Sequence, residues 1–260
     1  MTDMFGTMLY YNKQKVQEYL EILAKKKMLR PSRVIVESDK NVGLNAGVVD
    51  LGTKGRTSIE GEYQENAMLD CLNLEEQLKE RDDYFDFMEG GEQYTLDTVP
   101  FSSIIKIRGI LEIPDGADLI NLAEQFWPQI LGSIECKDAQ ERELLNIVLG
   151  KRKTKIPMKA EIEEAGGYNM LFSKLNFTNL LIDMDELEEY ENIEVTILGR
   201  VLYKKELRNN AQYVAYDFYR DFLGLNRALR KEMKEDENAP FQSIILEESF
   251  VELDIIGMYV

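Results

Sequence analysis

Asp82, Asp83 and Asp86 stand close together around Tyr84 and Phe85. Carboxylates so spaced can hold a magnesium ion for phosphodiester hydrolysis. They are the metal candidates of the chain, and the competing reading is an acidic helix end in a strongly negative protein. Asp183, Asp185 and Glu194 have the outline of a calcium loop. Its fifth position is Leu187, however, and its sixth, where the sharp turn requires glycine, is Glu188. A capping role explains these acids better.

The stretch GLNAGVVDLGTKGRTS invites comparison with a phosphate-binding loop. Such a loop needs lysine after its second glycine and a hydroxyl after the lysine, and here Thr53 precedes Lys54. Lys54 and Arg56 would carry an anion site if one existed, joined by Lys151 and Arg152 of the KRKTK run. Convergence of these groups would suit a small anionic nucleotide. The plainer reading is solvated loops and helix ends.

The chain of 260 residues contains no histidine. That removes Ser–His and Cys–His nucleophile pairs, histidine-ligated zinc and histidine general bases together. Cys71 falls on an apolar helical stripe, and Cys136 sits in SIECKD without an evident base. Neither is in a CxxC frame, so no disulfide framework or zinc knuckle is expected. No cofactor is expected either, and the balance leans away from an enzyme.

The net charge of −17 repels phosphate backbones and anionic membrane surfaces and favours solubility or a basic partner. Nucleic acid is the partner it disfavours most. The N-terminal stretch lacks a secretory pattern, and no apolar run approaches the roughly 18–20 residues that span a bilayer. A cytoplasmic protein is expected.

The elements that would position these groups read as follows. MLYY (8–11) is a strand, and Asn12 caps a helix whose face carries Val16, Tyr19, Leu20 and Leu23. A basic run (25–33), a strand (34–38) and a glycine-punctuated loop or loose hairpin (43–61) follow. Residues 63–82 form an amphipathic helix with Ala67, Cys71, Leu74 and Leu78 on one face. The connector DDYFDFMEGGEQYTLDTVP suggests a boundary between an N-terminal α/β segment, 1–95, and a C-terminal α+β domain, 96–260; a single domain is the alternative. Beyond it, FSSIIKIRGILEI is a strand, Asp115 and Asp118 can cap a helix ended by Pro128, and 138–149 is a further helix. KIPMKAEIE, TNLLI (178–182) and IEVTILGRVLY are strands, with Asp185 and Glu188 as a capping box between the last two. A long helix is expected over 213–235, and FVELDIIGMYV closes the chain as a strand.

PFSSIIKI (100–107) and PFQSIILE (240–247) are near-copies. Their flanks differ, so two independent strands entered from proline turns are preferred over a duplicated domain. Gly109, Gly199 and Gly257 each interrupt a strand, which suggests bulges or close backbone approach in one curved sheet. The fold class is α+β, a mixed or mostly antiparallel curved sheet, or sheets, packed against amphipathic helices.

LYYNKQKVQEYLEIL, the glycine-rich loop and following helix, and the strands IIKIRGILEIPDGADL and IEVTILGRVLY resemble an uncharacterised family of bacterial and prophage-borne proteins that carry a domain of unknown function. The chain departs from that pattern after the first helix, where Lys25-Lys26-Lys27 stands in place of the usual glycine. The resemblance implies no catalytic residues. It implies a setting, the conflict between bacteria and phages or mobile elements. The leading expectation is a non-enzymatic cytoplasmic protein that binds another protein, in defence or anti-defence. A nucleotide sensor or sponge and a carboxylate–metal hydrolase are the alternatives.

Overall fold

Apolar alternation in the β-branched runs produces strands where it is strongest. The computed structural model describes residues 6–24, 66–89, 94–114, 117, 120, 155–208, 211–222 and 243–260. Strands β1 (Met8–Tyr11), β2 (Tyr84–Asp86), β3 (Ile104–Glu112), β4 (Lys155–Glu161), β5 (Met170–Asn176) and β6 (Glu194–Lys205) belong to one sheet. β7 (Tyr213–Tyr216) and β8 (Ile244–Leu246) form a separate antiparallel pair. β9 (Phe250–Tyr259) returns to the main sheet.

The main sheet closes on itself. β3 pairs with β4 and β6, β6 with β9, β9 with β5, and β5 with β4. Four of these seams are antiparallel and β5–β9 is parallel, so the five strands make a mixed, barrel-like ring. β1 adds to β9 beyond the reach of β5, and β2 adds parallel to β3. Strands from both sides of residue 95 therefore share one sheet. With its helices the molecule is α+β.

The period of two along each strand sends alternate side chains inward. Ile105, Ile107, Met158, Leu171, Ile197 and Leu253 meet inside the ring, each at most 5% exposed. Burial of each such side chain contributes about 1.5–3 kcal/mol. The outer face is covered twice. Helices α1 (Lys13–Leu23) and α2 (Ala67–Leu78) lay Val16, Cys71, Leu74 and Leu78 over Ile104, Leu198 and Ile256. On another side Phe172 and Phe250 pack with Tyr216, Phe218 and Phe222 from β7 and the π-helical turn Phe218–Phe222. Both helix starts have side-chain caps: Asn12 accepts from the Lys15 amide at 3.2 Å, and Asn66 from those of Met68 and Leu69.

Three sequence expectations change. TNLLI is not a strand; the strand is MLFSKLN just before it. The Asn176 side chain accepts from the Thr178 amide and begins a 3-10 turn, Phe177–Asn179, which takes the chain out of the sheet. The short helix α3 (Met184–Glu188) is capped by Asp183 rather than Asp185, through a 2.8 Å bond from the Glu186 amide. That register turns Met184 and Leu187 into the core. Residues 213–216 extend as β7 instead of opening a helix, since Tyr213 and Val214 pair with Leu246 and Ile245. The expectations for 25–61, Pro128, 138–149 and 223–235 lie outside the described residues.

The near-copies are both strands but occupy different sheets, β3 in the ring and β8 in the outer pair. The strand glycines have separate reasons. A Cβ at Gly109 would stand 2.9 Å from the Glu161 carbonyl oxygen, where β4 crosses close. One at Gly257 would stand 2.8 Å from Cys71 Sγ, where α2 rests on β9. Gly199 lies at a register shift between β6 and β9. Among the described residues no helix is long and apolar enough to cross a membrane.

Candidate functional site

β3 is paired along one edge by β6, from Ile104–Arg200 to Ile110–Glu194. Its other edge is divided. β2 covers residues 104–106 and β4 covers 110–112. Backbone groups alternate between the edges along a strand. The Leu111 amide donates to Ile193 and the Ser103 carbonyl accepts from Val201, so odd residues face β6. The Ile104 amide donates to Asp83, and the Lys106 carbonyl accepts from Phe87, so even residues face the divided edge. The amide and carbonyl of Arg108 thus point into the interval between β2 and β4. Among the described residues neither has a backbone partner.

Both flanking strands are turned away by their own sequences. The Asp86 carboxylate accepts from the amides of Met88 at 2.8 Å and Glu89 at 3.1 Å, which bends the chain out of β2. After β4 the Ile162 amide donates to Asn169 and the Ala165 amide to Tyr168, around Gly166 and Gly167 with φ of 68° and 83°. Glycine holds that left-handed turn without strain.

A groove of about 1010 Å³ lies over this interval. Phe87, Met88, Tyr94 and Ile162 supply apolar wall, and Ile110 of the floor is 43% exposed. Tyr94 stands edge-on to Phe85, with ring centres 5.3 Å apart, and 6.2 Å from Phe87. Six carboxylates face two cations in the lining. Both cations are engaged: Lys106 Nζ lies 2.6 Å from Glu75 Oε2, and Arg108 lies 3.6 Å from Glu194. Glu161, Glu163 and Glu164 have no cationic partner among the described residues. The groove is therefore acidic as well as partly apolar.

Beneath it, the Tyr259 hydroxyl donates to Glu75 at 2.9 Å. Burial first, then the nearby carboxylates, push the phenols of Tyr84 and Tyr259 above their ordinary range and keep them protonated. Burial also pushes the Cys71 thiol up to about 12, with Glu75 and Asp70 adding to it. Cys71 is a packed thiol.

The three aspartates of the candidate metal set are not brought to one point. Asp82 is exposed. Asp83 takes a two-pronged bond from Arg81 at 2.6 and 2.8 Å, which holds its carboxyl below the usual range. Asp86 is buried and turned to the amides of Met88 and Glu89 and to Tyr84. Among the described residues no group of three His, Cys, Asp or Glu side chains could hold a metal ion. Lys54, Arg56, Lys151, Arg152 and Cys136 lie outside the described residues. Sequence reasoning passed over Arg108 and the Glu161–Glu164 run. The signal was there: an acidic run leading into Gly166-Gly167, opposite a strand interrupted by Gly109.

Comparison of the chain with family models, curated proteins and solved structures finds no match.

Proposed function

We propose that this chain is a non-enzymatic binding protein that takes an extended segment of a partner protein into the interval beside β3. The observation that carries the reading is the Arg108 amide and carbonyl, aimed into a groove between the last bond to β2 and the first pair with β4. Strand addition to an open edge uses such groups, with main-chain bonds for affinity and wall pockets for specificity. The state of the reactive side chains supports binding over catalysis: Lys106 is ion-paired, the Cys71 thiol is held protonated, and Asp83 and Asp86 are engaged. The setting we propose, the bacterial cytoplasm during phage conflict, rests only on the sequence resemblance of residues 9–23, the glycine-rich loop and helix, and the strands around 104–119 and 193–203.

The test is affinity capture from bacterial cells with and without phage challenge. Arg108→Pro removes the amide that faces the interval together with the arginine side chain, and proline is tolerated where the lost N–H has no ladder partner. Arg108→Ala keeps that amide and removes the side chain. We expect a stoichiometric protein retained by Arg108→Ala and lost by Arg108→Pro, with melting temperatures showing both variants folded. A partner retained equally by both would sink the proposal.

A further inference from the structure

We infer that the segment taken up beside β3 is basic, with lysine or arginine side chains meeting Glu161, Glu163 and Glu164 and the rings of Phe87 and Tyr94. This rests on the docking reading above and names the chemistry of the partner. The cations in the groove are already committed, Lys106 to Glu75 and Arg108 to Glu194, and the three glutamates at the end of β4 are exposed with no cation beside them among the described residues. An incoming cation gains carboxylate acceptors on one side and an aromatic face on the other. An acidic or phosphorylated segment would bring like charges into the same space, which disfavours it against a basic one. The apolar floor suits the alternate residues of such a segment, because an extended chain turns successive side chains to opposite faces. The charge of −17 on the chain adds long-range attraction for a basic partner and none for a nucleic acid.

Fluorescence anisotropy on the full chain tests this with a short labelled peptide alternating lysine and valine. Two controls replace its lysines by serine or by glutamate. We expect the lysine peptide to bind, to weaken as salt rises, and to lose about tenfold or more in affinity against the E161Q/E163Q/E164Q variant. The neutralised acids D185N/E186Q/E189Q, on and beside α3 and outside the groove lining, should leave binding unchanged. Equal binding of the serine peptide overturns the charge inference and leaves the docking reading standing. Equal losses in both neutralised variants mean the attraction belongs to the whole molecule, and the inference falls. No binding of the lysine peptide also overturns it, while the docking reading is judged separately by the Arg108→Pro capture.

Discussion

Glu75 and Lys106 are buried polar residues whose side chains are 5% and 10% exposed, and each answers the other at 2.6 Å. Glu75 also accepts from Tyr259, so α2, β3 and β9 are tied at one carboxylate. Removing one partner of such a pair leaves an uncompensated buried charge. Lys106→Met should therefore cost about 3–5 kcal/mol in urea unfolding. Adding Glu75→Gln should recover much of that loss, since glutamine is neutral and still accepts from Tyr259. At this scale the sequence shows residue types but not engagements. Asp86 reads as a ligand for a metal because a carboxylate in an acidic run has that chemistry. One of its oxygens is in fact taken by two amides that end a strand, and the other accepts from the Tyr84 hydroxyl.

The elements were more legible than the residues. The runs 104–112, 155–161, 194–205 and 250–259 fall in strands where β-branched and apolar residues recur, and 8–11 is a short aromatic and apolar run that does the same. β5 escaped notice because Ser173 and Lys174 interrupt its pattern, yet Ser173 is buried and donates to the Leu253 carbonyl at 2.9 Å across the β5–β9 seam. Gly257 makes a testable contact between elements. A methyl there would meet Cys71 Sγ at 2.8 Å and Met8 Cε at 3.1 Å, while Cys71 Cβ is 4.0 Å away. Gly257→Ala should cost about 1–3 kcal/mol by overpacking. In a Cys71→Ala background the sulfur is gone, and the same substitution should cost clearly less. A double-mutant cycle on thermal or urea unfolding reads the coupling; strictly additive losses would show that α2 does not rest on Gly257 in this way.

At the scale of the whole molecule, what the sequence could not show is closure. Strand periodicity is local, whereas the ring depends on pairings such as β4 with β3 and β9 with β5, made between distant parts of the chain. The interval at Arg108 is a product of that same arrangement, because β2 and β4 share one edge of β3 without meeting. Closure also sets a clock. A sheet joined to itself has no end strand to peel, so most ring amides exchange with heavy water only when the seams open together. Ile107 and Gly109 face β6 and should keep their protons for as long as the fold lasts, while the Arg108 amide between them should exchange orders of magnitude faster. One fast proton between two slow ones is the mark this architecture leaves in time, and a segment bound at that edge would slow it toward its neighbours.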